Sequence, residues 1–125
     1  MAMEGFQSQL PPQNIEAEQA VIGAVLRNPN AIVEAHEYVE ALDFYRRNHQ
    51  LIFQAMIDLN DRGEVIDALT VANELESNNQ LEDIGGRKYL SDLAINVPTS
   101  ANVGFYAKIV EEKSTLRKLI QTAQQ

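Results

Sequence analysis

At 125 residues, with 45% hydrophobic and 22% charged side chains, the chain has the size and make-up of one globular domain that builds a core without covalent staples. The absence of cysteine excludes disulfides, thiolate metal sites and cysteine nucleophiles, and no apolar run is long enough to span a membrane. The net charge of −8 is uneven, with fifteen acids and four bases in residues 1–83 against three acids and six bases in residues 84–125. So acidic a body repels phosphate, which disfavours direct nucleic-acid binding and favours a basic protein partner. No charged-then-apolar leader ends at a small-residue cleavage site, so the expectation is a cytosolic protein.

Residues 1–13 are polar, lack periodicity and end in Pro11-Pro12, which reads as a flexible tail. A helical head over residues 14–98 follows, and a long helix over residues 99–125. Asn14 is a good N-cap, Glu16 and Glu18 fall in the first turn where the helix dipole favours acids, and Ile15, Val21, Ile22, Val25 and Leu26 carry a helix to about Arg27. Asn28-Pro29 restarts it, with Ile32, Val33, His36 and Val39 as its stripe. After a turn at Asp43 comes the run His49–Leu59. Its apolar residues cover nearly the whole circumference, the pattern of a helix at the centre of a bundle. Asp61-Arg62-Gly63 ends it with glycine in the capping position.

Asp67 or Thr70 caps a fourth helix with Leu69, Ala72 and Leu75 inward. Gly85-Gly86 opens a fifth with Tyr89, Leu90, Leu93, Ala94 and Val97, stopped before Pro98. Thr99 or Ser100 caps the sixth. No strand-like alternation is sustained, so the class is all-α, a compact bundle of about six helices.

The last helix has two apolar faces in its first half and one in its second. Val103, Tyr106, Ala107 and Val110 cluster on one side; Phe105, Ile109, Leu116, Leu119, Ile120 and Ala123 cluster roughly opposite. The expectation is that the first half docks on the bundle while the second projects, its stripe packing against something outside this chain. The helix reaches Gln125 without a capping residue, which reads as a cut within a helix.

Little in the sequence supports catalysis. Glu16 with Glu18, and Glu111 with Glu112, are spaced off a common helical face and read as solvated surface. Asp58 and Asp61 share a face but sit at a helix end beside Arg62, where water is the simpler partner. His36 and His49 lack ligand-spaced partners, so no metal site is expected, and His49 reads as a buttress of the central helix. Gly85-Gly86-Arg87-Lys88 lacks the first glycine and the final Ser or Thr of a phosphate loop. Lys108, Lys113, Arg117 and Lys118 interleave with Glu111 and Glu112 as a salt-laced exposed helix. The residues alone describe a helical interaction module without an active site.

Four ordered stretches, however, resemble one family. Pro11 to Gly23 (PPQNIEAEQAVIG) is similar to the opening of the DnaB-type replicative DNA helicases of bacteria. Asp43-Phe44-Tyr45-Arg46 with His49 and Ile52-Phe53 resembles that family's next signature. Gly85-Gly86 with Tyr89-Leu90, then Asn96 to Val103, resembles the third, and Tyr106 to Lys113 with Leu116-Arg117 the fourth.

The resemblance implies the amino-terminal domain of a ring-shaped hexameric, ATP-driven helicase. That domain is a helical head followed by a helical hairpin, of which this chain would hold the first arm. Six such domains would pair into a collar of three dimers that binds the carboxy-terminal domain of primase and, in some members, a helicase loader. ATP and Mg belong to a motor domain absent here, so no cofactor and no enzymatic activity are expected of the chain itself. The implied location is the bacterial cytoplasm, at the replication fork.

The resemblance further implies primase contacts at Tyr89 and Ile120, with self-association through Phe105, Ile109, Leu116, Leu119 and Ile120. It sets the expectation that Tyr89→Ala weakens primase binding without changing thermal unfolding. The alternative, from a different class, is a stand-alone helical adaptor that uses the exposed stripe of the last helix.

Overall fold

A computed structural model describes residues 10–98 and 102–124. Its elements are α1 (Ile15–Arg27), α2 (Ala31–Tyr38), a 3₁₀ turn (Ala41–Asp43), α3 (Arg47–Asp61), α4 (Ala68–Ser77), α5 (Leu81–Ile84), α6 (Gly86–Asn96) and α7 (Val103–Gln124). All are helical. The expected six helices are present, and the short α5 is an addition, too brief for a periodicity signal.

Local chemistry explains most boundaries. The Asn14 side chain accepts the Ala17 amide at 2.9 Å and starts α1. Asp67 and Thr70 each bond the other's amide, at 2.8 and 2.9 Å, so both candidate caps of α4 act together. Gly63, with φ +73°, follows α3 as expected. Helix α2 begins at Ala31, two residues later than cap-then-proline chemistry predicts. Its first turn is drawn tight by the Ala31 and Ile32 amides bonding the Asn28 and Pro29 carbonyls. The expected caps of the last helix, Thr99 and Ser100, lie outside the described residues, as does the tail from Met1 to Gln9.

Two helices share the centre. The expected one, α3, buries His49, Ile52, Phe53, Ala55, Met56, Ile57 and Leu59 and touches α1, α2, α4, α5 and the 3₁₀ turn. Helix α1 is its equal, buried from Ala20 through Leu26 and flanked by α6 on one side and α7 on another. At Gly23 the approach to α6 is so close that a Cβ would lie 2.4 Å from the Leu93 carbonyl oxygen.

Two predicted stripe residues face outward. Val33 is 61% exposed because α2 turns Ala31, Ile32 and Ala35 inward, and Leu69 is 63% exposed because α4 buries Val71 with Ala72 and Leu75.

Helix α7 is 22 residues long, about 33 Å. Val103, Ala107 and Val110 are buried in the core with α1 and α2, whereas Leu119 and Ile120 are exposed. Contact with the head continues further than apolar periodicity predicts, because polar groups take over. Ser114 Oγ donates to Asp43 Oδ1 at 2.6 Å. Arg117 donates to the Asp43 carbonyl at 2.5 Å and the Pro12 carbonyl at 2.7 Å, and lies over the Tyr45 ring. Lys118 reaches Asp43 at 3.2 Å.

Arg117 and Lys118 therefore hold the helix to the head, rather than lacing an exposed surface with Glu111 and Glu112. Pro12, expected in a free tail, is pinned by the same arginine.

Candidate functional site

The site is built around a carboxylate that the sequence reading places in water. Glu18 is 1% exposed. Its Oε2 accepts the Tyr45 amide at 2.6 Å, and its Oε1 accepts the Arg46 amide at 3.4 Å and faces His49 Nδ1 at 2.7 Å. His49, fully buried at the start of α3, meets the Tyr89 hydroxyl through Nε2 at 2.6 Å, and the two rings stack at 11° with centroids 6.0 Å apart. Gln19 Nε2 donates to the same hydroxyl at 3.3 Å. The chain Glu18–His49–Tyr89–Gln19 thus joins α1, α3 and α6, and every buried polar atom in it has a partner.

The pairing of Glu16 and Glu18 as solvated surface is thereby corrected for Glu18. A signal was present: with Val21, Ile22 and Val25 it completes the i, i+3, i+4, i+7 pattern, so the acid stands on the buried stripe. An acid there must find hydrogen-bond partners inside the fold, because an unpaired buried charge is prohibitively costly.

Tyr89 is set by the turn before it. Gly85 and Gly86 have φ of +111° and +75°, a conformation that favours glycine, and a Cβ on Gly85 would meet the Tyr89 Cβ at 3.0 Å and Cγ at 3.2 Å. The double glycine lets α6 begin with Tyr89 folded against it and turned toward His49.

Tyr89 lines an open groove of about 410 Å³ between α1, α6 and α7. The groove is walled by Asn14, Glu16 and Gln19 of α1 and its cap, Asp92 and Asn96 of α6, and Tyr106 and Ile109 of α7. Among the described residues, two carboxylates and no lysine or arginine belong to its lining. Lys88 touches it from outside, paired with Asp92 at 3.0 Å.

The structure therefore separates the predicted site residues. Tyr89 and Ile109 come together at the groove. Ile109 shares the helical side of the expected stripe but is half-buried against the core and lines the groove. Phe105 (67%), Leu116 (44%), Leu119 (61%) and Ile120 (44%) remain exposed along the outer side of α7. Ile120 lies about 16 Å along the helix from Ile109, outside the groove. Tyr89 is bonded to the buried His49 as well as lining the groove, so its side chain belongs both to the packing of the head and to the groove wall.

Among the described residues no three His, Asp or Glu side chains converge as metal ligands, and no helix is long and apolar enough to cross a membrane.

Comparison with known proteins agrees with this architecture. The family described as the DnaB-like helicase N terminal domain matches residues 10–112. The replicative DNA helicase DnaB of Geobacillus stearothermophilus is 58% identical over 120 residues, covering 96% of this chain and 26% of that protein. The replicative DNA helicase DnaC of Bacillus subtilis (strain 168) is 57% identical over 114 residues, covering 91% and 25%.

A crystal structure of the N-terminal domain of DnaB helicase from Mycobacterium tuberculosis superposes with a TM-score of 0.89 at 46% identity, covering 92% of this chain and 83% of that one. The chain spans about a quarter of the length of the helicases it matches. With the fold, the ordered motifs and a family match over most of its residues in agreement, the chain belongs to the DnaB-like helicase N-terminal domain family.

Proposed function

We propose that this chain is the collar domain of a bacterial replicative helicase, a part that assembles subunits and recruits primase rather than performing the chemistry. The parent would unwind duplex DNA with ATP and Mg held by a separate motor domain.

The observation that carries the reading is how α7 divides its surface. Its outer side offers the apolar stripe Phe105, Leu116, Leu119 and Ile120, suited to a like helix of another subunit. Its inner side closes the groove at Tyr89, suited to a protein partner such as the carboxy-terminal domain of primase or, in some members, a loader. An acidic surface of this kind is poorly matched to DNA, which fits a role in contacting proteins.

Isothermal titration of the chain with a primase carboxy-terminal domain tests the recruitment half. Saturable binding that Tyr89→Phe weakens supports it. Absence of binding at concentrations where the chain is folded contradicts it.

A further inference from the structure

We propose, building on the reading that the groove between α1, α6 and α7 receives a partner protein, that the buried Glu18–His49 pair fixes the hydrogen-bond polarity of Tyr89 and so makes the groove a receptor for a cationic side chain, arginine or lysine, of that partner. Glu18 and His49 are then positioning residues, acting through Tyr89 rather than touching the partner.

The inference follows from donors and acceptors. Both Glu18 oxygens accept backbone amides, from Tyr45 and Arg46, so both act as acceptors. The ring nitrogen that Oε1 faces at 2.7 Å, Nδ1 of His49, is therefore the one carrying the proton. In the neutral ring that proton leaves Nε2 bare, and a bare Nε2 2.6 Å from the Tyr89 hydroxyl takes that hydroxyl's only proton. Gln19 Nε2 donates to the same oxygen. What the hydroxyl has left for an occupant is a lone pair, never a donor.

The rest of the lining points the same way. Glu16 and Asp92 bring carboxylates to it, no lysine or arginine among the described residues belongs to the lining, and Tyr106 supplies a second aromatic side chain to a cation. Lys88 already occupies one oxygen of Asp92 at 3.0 Å, from a side chain 86% exposed that an incoming guanidinium can displace. A carboxylate would meet the carboxylates of Glu16 and Asp92 and the Tyr89 lone pair, with only the neutral amides of Asn14, Gln19 and Asn96 to donate to it. An arginine meets two carboxylates, a hydroxyl lone pair and tyrosine rings.

The opposite ring tautomer, with the proton on Nε2, would turn Tyr89 into an outward donor and reverse this preference. Glu18 is what selects between the two.

Two measurements test the proposal on the chain as it stands. In ¹⁵N-histidine NMR spectra His49 is expected to show a protonated Nδ1 and a bare Nε2, and in Glu18→Gln, whose amide can donate to Nδ1, a protonated Nε2. A ring already protonated at Nε2 in the unsubstituted chain overturns the proposal without reference to any partner. N-acetyl-arginine amide, titrated to tens of millimolar, is then expected to shift the backbone amides of Gln19, Tyr89 and Asn96, while the neutral citrulline counterpart does not. Glu18→Gln should weaken the arginine response about tenfold, the scale of a hydrogen bond to a charged group. In a Tyr89→Phe background the same change should do nothing more.

Equal responses to arginine and citrulline overturn the proposal, as does a Glu18→Gln effect that persists undiminished beside Tyr89→Phe, since the acid would then act through the fold at large. If Glu18→Gln proves too unstable to titrate, Tyr89→Phe alone must weaken the arginine response, and an unchanged response overturns the proposal. An arginine response as described, together with a primase domain that leaves the groove amides unmoved, upholds the receptor chemistry and removes primase as its occupant.

Discussion

Two carboxylates, Glu18 and Asp43, hold this domain together in different ways. Glu18 is sealed in the core, is not paired with a lysine or arginine side chain among the described residues, and satisfies its oxygens with two backbone amides and a histidine ring. Asp43 lies nearer the surface, its side chain 14% exposed, and meets a hydroxyl, an amide and a lysine. The first network fixes helices to one another and sets Tyr89 at the groove. The second fixes the direction in which α7 leaves the head. Polar groups thus do two jobs here that apolar packing does not specify: orienting a recognition side chain, and extending a docked helix beyond its apolar face.

Removing the buried acid should have the largest effect. Glu18→Ala leaves two amides and a ring N–H without partners in a dry site, and urea unfolding should show a loss of about 3–5 kcal/mol. Next comes the close packing around it. Gly23→Ala places a Cβ 2.4 Å from a backbone oxygen, and thermal unfolding should record a loss of about 2 kcal/mol. At Gly104 the obstructing atom is the end of the Glu34 side chain, which can swing aside, so Gly104→Ala should cost less than about 1 kcal/mol.

Asp43 gives a smaller, pH-dependent effect. Burial alone pushes its carboxyl up, but the Glu40 amide, Ser114 and Lys118 together hold it below the ordinary value of 3.8. A carboxyl lowered by folding stabilises the fold fully above its unfolded value, and that contribution disappears as pH falls through the lower, folded one. Acid unfolding of Asp43→Asn should therefore lack a component that the unsubstituted chain shows below about pH 4. At neutral pH the substitution should cost about 1 kcal/mol or less, because solvent screens the site. The exposed stripe closes the series. Leu119→Ser with Ile120→Ser should change unfolding by less than about 0.5 kcal/mol while abolishing any self-association seen in sedimentation.

Much of this was legible in the chain. The caps Asn14, Asp67 and Thr70, the Gly63 stop, the double glycine before α6 and the split faces of α7 are all local signals, and local chemistry set them. The all-helical class followed from periodicity, and the ordered motifs carried the family. Glu18 was misplaced because a first-turn acid has a ready local explanation in the helix dipole, and its true partners, the Tyr45 and Arg46 amides and the His49 ring, lie 27, 28 and 31 residues away. The Asp43 clamp was missed for the same reason, since Arg117 had nearer acids with which to pair. Helix α5 was invisible because four residues make barely one turn. Val33 and Leu69 were turned inward on paper because an apolar residue beside a stripe cannot be told from one within it until the neighbouring helices are in place.

The most direct test of a groove that recognises a partner through Tyr89 is the binding of a primase carboxy-terminal domain to Tyr89→Phe, titrated beside the unsubstituted chain with the melting temperature of each recorded. The loss of one hydrogen-bonded hydroxyl should lower stability by about 1 kcal/mol, a shift of a few degrees, while binding weakens about tenfold. Binding that is unchanged in the phenylalanine variant would contradict the account, and would leave Tyr89 as a member of the core alone.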